Sequence, residues 1–137
     1  MDDDRTFWEE KIAFNKHLGI KLTGQSDGFA RMELPYRPEH IGDPYRPALH
    51  GGIISTLLDT TGGAAVWSKI EPDDKISTVD LRVDYLRPAP LETLVCEGHV
   101  ARIGNRVVVT DMKVFSAEDP DRVIATGKAV YNLRRSD

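Results

Sequence analysis

The chain has 137 residues, 40% of them apolar, and 22 Asp and Glu against 18 Lys and Arg give a formal net charge of −4. That length suits one domain with a real core, taken as residues 1–137, and is too short for two. A mildly acidic balance without a basic stripe argues against a nucleic-acid partner, the single Cys96 excludes an internal disulfide and a cysteine metal cage, and the lack of a long apolar run excludes a signal peptide or membrane span and points to a cytoplasmic protein.

Thr6-Phe7-Trp8-Glu9 fits a capping box, with Thr6 as N-cap and Glu9 at the third helical position. Trp8, Ile12, Phe14 and Leu18 then define a short amphipathic helix that Gly19 ends. Residues 20–25 and 28–36 read as two strands, because Ala30, Met32 and Leu34 alternate with Arg31, Glu33 and Pro35. Pro38, Pro44 and Pro47 make 37–49 a stiff, non-helical loop. The central helix is expected over about Gly51 to Lys69, where Ile53, Ile54, Leu57, Leu58, Thr61, Ala65 and Val66 recur at helical spacing. Gly62 and Gly63 cost that helix on the order of 1 kcal/mol each relative to Ala. The pair therefore predicts that another backbone approaches closely there.

After Pro72-Asp73-Asp74 the period changes to two. Val79, Leu81, Val83 and Tyr85 alternate with Thr78, Asp80, Arg82 and Asp84 over 77–86, and further strands are expected at 91–103, 105–117 and 122–133. Gly104-Asn105 reads as a two-residue hairpin turn, and Ala117 to Asp121 as a longer one. Two strands, one long helix and four more strands give an α+β fold, an antiparallel sheet wrapped on one buried helix behind a short N-terminal helix.

The stretch richest in chemistry is His50-Gly51-Gly52-Ile53-Ile54-Ser55-Thr56-Leu57-Leu58-Asp59. A His-Gly-Gly helix start leaves backbone N–H groups unpaired. One carboxylate, Asp59, follows two turns later on an otherwise apolar helix. Donors for a developing oxyanion plus a carboxylate are what acyl transfer to water requires. A buried helix with a glycine start and one exposed Asp is the bland alternative.

Leu49-His50-Gly51-Gly52 with Leu57-Leu58-Asp59, followed by Thr78-Val79-Asp80-Leu81 and Tyr85-Leu86-Arg87-Pro88-Ala89, resembles the hotdog-fold acyl-CoA thioesterases of the phenylacetate-degradation (PaaI-like) type. The resemblance runs from Leu18-Gly19 to Gly127-Lys128-Ala129. It implies hydrolysis of an acyl- or aryl-CoA thioester to free acid and coenzyme A, without a metal or prosthetic group. It makes Asp59 the catalytic carboxylate, as nucleophile or general base, the Gly51 N–H the oxyanion donor, and Thr78 the hydroxyl that helps place the attacking water. Many relatives carry an Asn six or seven residues before the His; Asp43 and Pro44 stand there in this chain. An ionised Asp43 beside the carbonyl would repel the oxyanion.

Gly51 and Asp59 on one straight helix lie about 12 Å apart along its axis. A thioester needs its attacker and its oxyanion donors both within about 3 Å. A two-fold partner solves this by setting Asp59 of one subunit opposite Gly51 of the other, so the expected state is a homodimer with composite sites, which the resemblance extends to a homotetramer. His50 is a second candidate for touching the thioester oxygen, although fixing the turn is its more ordinary role, and Gly52 lies beside it. Arg87, Arg102 and Arg106, at strand ends or near the Gly104 turn, are candidates for the coenzyme A phosphates, each with solvated charge as the ordinary alternative. His17, His40 and His99 show no metal-ligand spacing, and Cys96 has no neighbour that would activate its thiol. Two rival readings use the same pocket: a non-catalytic acyl-CoA binding or regulatory protein, and a hydroxyacyl thioester dehydratase.

Overall fold

In the computed structural model, which describes residues 2–136, an antiparallel six-stranded sheet packs over one long helix. Helix α1 (Asp2–Thr6) leads through a π-helical turn (Phe7–Lys11) into α2 (Ala13–Leu18), followed by the hairpin of β1 (Lys21–Ser26) and β2 (Phe29–Leu34). A 3-10 turn (Pro38–His40) and a two-stranded ribbon, β3 (Ile41–Asp43) and β4 (Ala48–Leu49), precede the central helix α3 (Gly51–Trp67). Strands β5 (Lys75–Tyr85), β6 (Leu94–Ile103), β7 (Val107–Ser116) and β8 (Asp119–Arg134) complete the chain. The sheet order is β1-β2-β6-β7-β8-β5, so the strand that leaves the helix goes to the far edge, beside β8. This is the hotdog arrangement that the resemblance implies.

The core forms where the two periodicities meet. Ala30, Met32 and Leu34 on β2 are wholly buried, as are Leu94 and Cys96 on β6. Against them α3 buries Ile54, Leu57 and Leu58 and then every residue from Thr61 to Val66. Each fully buried Leu, Ile or Met contributes about 1.5–3 kcal/mol.

Several expectations need correction. Thr6 is helical (φ −59°, ψ −44°) and makes no side-chain cap. Glu9 does not close a capping box but accepts from Leu22 N–H at 2.8 Å and pairs with Arg5 and Lys21. The chain breaks at Ile12, whose extended backbone (ψ 101°) splits the expected single helix; Gly19 ends α2 in the left-handed region (φ 82°) as expected. The proline loop is not wholly irregular, since it holds the 3-10 turn and the β3–β4 ribbon. The β6–β7 turn sits one residue later than expected: Gly104 N–H donates to Val107 O at 2.9 Å, leaving Asn105 and Arg106 as the loop. The β7–β8 turn is tighter, because Ser116 already pairs with Asp119. On β5 the alternation translates into burial only in part: Leu81 and Val83 are half-buried against the core while Arg82 and Asp84 are exposed. The strand is an edge with an irregularity between Thr78 and Asp80, and Val79 is 66% exposed.

The glycine pair admits side chains rather than a backbone. A Cβ at Gly62 would collide with Tyr131 Oη and lie 3.0 Å from Thr110 Oγ1 and 3.1 Å from Met112 Sδ; one at Gly63 would lie 3.2 Å from Trp8 Cη2. Gly62→Ala is thus expected to destabilise the fold: overpacking costs about 1–3 kcal/mol, against a helix-propensity gain of about 1 kcal/mol. Urea titration checks this, and a raised midpoint would refute the packing role.

Candidate active site

The start of α3 is held from several sides. His50, extended at φ −66° and ψ 132°, is the N-cap, and its Nδ1 accepts from Gly52 N–H at 2.8 Å. Its own N–H donates to His40 O at 2.8 Å, while Leu49 N–H donates to Ala89 O at 3.1 Å. Strand β3 crosses so closely that a Cβ on Gly42 would lie 2.6 Å from His50 Cα. Ile53 and Ile54 N–H both turn back to His50 O. Among the described residues, Gly51 therefore carries the one N–H of the first helical turn without an acceptor. The candidate oxyanion donor is free, at the positive end of a seventeen-residue helix. Gly52, expected as a second contact, has its N–H engaged by His50, which has the structural role. Tyr85, on β5, stands beside this start, and its hydroxyl donates to Gly51 O at 2.9 Å.

Two turns further along, Asp59 is half-buried and fixed by two hydroxyls. Thr78 Oγ1 donates to Asp59 Oδ1 at 2.8 Å. Tyr131, from β8, donates to the Asp59 backbone carbonyl at 2.7 Å, with Oδ1 a further 3.4 Å contact. Burial, and then the neighbouring Asp59 carboxylate, raise the Tyr131 phenol far above its ordinary pKa, so it stays protonated and donating. The bonds to Oδ1 leave Oδ2 for other work. Asp59, Thr78 and Tyr131 line a cavity of about 620 Å³ whose apolar wall includes Phe7, Trp8, Ile12, Trp67 and Ile76.

Of the residues expected from the sequence, the structure brings Thr78 to Asp59 and sets Gly51 at the helix start behind His50, and it adds Tyr131, Tyr85 and the aromatic wall from the N-terminal segment, which that reading does not single out as site residues. Tyr131 reads as one more inward residue of an alternating strand, and its partner lies 72 positions away. The break at Ile12, which turns Phe7 and Trp8 onto α3, has no signature in the local pattern.

Asp43 is not among the residues lining the cavity beside Asp59. Its Oδ1 accepts from Tyr45 N–H at 2.9 Å and Arg46 N–H at 3.1 Å, and these bonds lower its pKa, so the carboxylate is engaged in its own turn. The three arginines do not converge. Arg87 donates to Val123 O and lines a shallow groove with Gly51, Tyr85 and Leu86, whereas Arg106 lines a separate cleft with Arg134 and Arg135. Arg102 lies on β6, opposite Val109. Burial pushes the Cys96 thiol up to about 12, which leaves it unreactive. Among the described residues no cluster of His, Cys, Asp or Glu could hold a metal ion, and no helix is long and apolar enough to cross a membrane.

Comparison with known proteins gives consistent matches. Residues 47–123 match the model of the thioesterase superfamily. The medium/long-chain acyl-CoA thioesterase YigI of Escherichia coli is 32% identical over 133 residues, covering 88% of this chain and 84% of the relative. A solved protein of Shewanella oneidensis related to the thioesterase superfamily superimposes with a TM-score of 0.84 at 28% identity, over 96% of this chain and 93% of that one. A thioesterase family protein of Silicibacter pomeroyi, at 24% identity, has the same fold with a TM-score of 0.88 over 98% of both chains.

His40, which accepts from His50 N–H, is 2% exposed, and burial followed by the Arg37 charge holds its imidazole below the ordinary value of 6.5. The unfolded chain therefore takes up this proton first, so the stability tied to neutral His40 is complete above pH 6.5 and lost as pH falls below it. Thermal midpoints are expected to drop between pH 7 and 5.5, and to drop less in His40→Gln. The same drop in both proteins would contradict this assignment. Asp43 acts in a lower window: its depressed pKa adds stability that is lost only below about the unfolded value of 3.8.

Proposed function

The chain belongs to the thioesterase superfamily, and we propose that it hydrolyses acyl-CoA thioesters to the free acid and coenzyme A. The observation that carries this reading is the Asp59 carboxylate, held at 2.8 Å by Thr78 on the wall of a largely apolar cavity of about 620 Å³. Apolar surroundings suit an acyl chain, and a fixed carboxylate beside them suits attack on its carbonyl. The similarity to YigI favours medium or long acyl groups. The His50-Gly51-Gly52 and Asp59 motif supports the PaaI-like subtype, and the residues from 1 to 137 are taken as one domain.

Asp59 acts as the general base. Oδ2, the oxygen not used by Thr78, takes a proton from water as the water oxygen bonds to the thioester carbon. The Gly51 N–H stabilises the negative charge that develops on the carbonyl oxygen. Collapse of this adduct breaks the carbon–sulfur bond, and the proton held by Asp59 passes to the departing thiolate. Because the rise of α3 separates Gly51 from Asp59 by about 12 Å, the donor comes from a second copy, giving a homodimer with two composite sites. Pairing of dimers into a tetramer, a cytoplasmic setting and the absence of a nucleic-acid partner complete the proposal.

Asp59→Asn is expected to lower kcat by about 10²–10⁴-fold, the usual contribution of general acid–base catalysis. Thr78→Ala, which frees the carboxylate but keeps it, is expected to cost about tenfold. Thiol release from a panel of aliphatic and aryl-CoA esters measures both. Undiminished turnover in Asp59→Asn would overturn the role given to the carboxylate.

A further inference from the structure

Three chain segments, the start of β5, the β6–β7 loop and the end of β8, bring cations together on the outer face of the sheet. Tyr131 and Leu133 of β8 are buried in the core, so Asn132 and Arg134, which alternate with them, stand on the opposite face. In register, Arg134 is directly opposite Lys75 on β5, while Asn132 is opposite Ser77 on one side and Val107 on the other. Asn105, Arg106, Asn132, Arg134 and Arg135 line a cleft of about 550 Å³.

The charge here is unbalanced, although the chain as a whole carries −4. Among the described residues Lys75, Arg106, Arg134 and Arg135 make no ion pair. Like charges set directly opposite on neighbouring strands repel, as Lys75 and Arg134 do. Asp74 is the carboxylate nearby: Ser136 N–H and Glu71 N–H donate to its oxygens, and Arg135 adds its charge. One carboxylate against four cations leaves the cleft positive. Its donors are also unspent. Arg135 Nε donates to Asn105 O at 3.2 Å and Nη2 to Gly104 O at 3.1 Å, which fixes the guanidinium and leaves Nη1 uncommitted. Arg106 and Arg134, both exposed, add guanidinium groups that bond no described residue. Guanidinium forks are the groups that match phosphate oxygens.

We propose that this cleft binds the phosphates of a nucleotide, with Arg106, Arg134 and Arg135 as its ligand-binding residues. Two sources share that chemistry: the nucleotide end of a coenzyme A thioester, and a separate nucleotide. Lys75, opposite Arg134, also lines the cavity beside Asp59, so cleft and cavity meet at the start of β5. Three residues of strand, about 10 Å, separate Lys75 from Thr78. Phosphate binding needs no turnover, so the site goes beyond the thioesterase reading and does not rest on it.

Isothermal titration calorimetry of the full chain with adenosine 3′,5′-bisphosphate tests the proposal. The bisphosphate is expected to bind, and adenosine, which lacks the phosphates, is expected not to, a comparison made in the wild type alone. Arg106→Gln and Arg134→Gln are each expected to weaken binding about tenfold, the worth of one charge-assisted hydrogen bond. Arg122→Gln removes an equal charge from an exposed position outside the cleft and is expected to leave binding unchanged. Titrations repeated in saturating coenzyme A separate the sources. Competition assigns the cleft to the nucleotide end of the substrate, undiminished binding assigns it to a separate nucleotide, and either supports the site. Three results overturn it: no binding of the bisphosphate, equal binding of adenosine, or an affinity that Arg106→Gln and Arg134→Gln change no more than Arg122→Gln does. Each leaves intact the thioesterase reading, which thiol release measures.

Discussion

A helix is a rigid spacer, and much of this molecule follows from what α3 holds at fixed separation. Gly51 offers its free N–H at the first turn, and Asp59 stands about 12 Å along the axis. Neither end can move to meet the other, because α3 is buried over its second half and clamped at its start by His40, His50 and the crossing of β3 at Gly42. Such a frame cannot bring both groups to one thioester within one chain. It suits a two-fold pair, in which each helix supplies the donor for one site and the base for the other. Strand β5 fits the same proposal. It is an eleven-residue sheet edge with Val79 and Tyr85 more than half exposed, a surface that proteins seldom leave uncovered. It also carries both Thr78 and Tyr85, whose hydroxyls donate to Asp59 Oδ1 and to Gly51 O.

Precision at Asp59 comes from hydroxyls rather than from charge. Thr78 and Tyr131 approach it from β5 and β8, neighbouring strands whose register pairs Thr78 with Tyr131 directly. One pairing thus brings both donors to one carboxylate. Gly62 extends the arrangement, since its missing Cβ leaves room for the Tyr131 hydroxyl. The glycine pair that weakens α3 as an isolated helix therefore makes space for Tyr131, which bonds Asp59, and, through Gly63, for Trp8.

Much of this was legible in the amino-acid order. The alternation on β2 translates directly into burial because it matches a single buried face, and the spacing of Ile54, Leu57 and Leu58 does the same over the first half of α3, whereas from Thr61 to Val66 the helix is buried on every side. His50 as N-cap, Gly51 as free donor and Thr78 beside Asp59 follow from short motifs whose geometry is local or carried by the resemblance. What could not be read depends on contacts made far along the chain. Thr6 and Glu9 look like a capping box until Glu9 finds Leu22 N–H, and the helix break at Ile12 answers to the docking of Trp8 on Gly63. The glycine pair announced a close approach but not whether backbone or side chains would make it. The turn that the Asp43 carboxylate closes on the backbone two and three residues ahead is likewise absent from what the resemblance implies.

The most direct test of composite sites is subunit complementation. Asp59→Asn lacks the base, and Gly51→Pro lacks the donor while keeping a residue that a first helical turn accepts. Each alone is expected to be nearly inactive. Co-expressed in equal amounts, half of the dimers are mixed, and each mixed dimer holds one site with Gly51 and Asp59 both intact, so activity is expected to return to about a quarter of wild type. A mixture no more active than the average of its two parents would contradict the shared site and require donor and base to act within one chain.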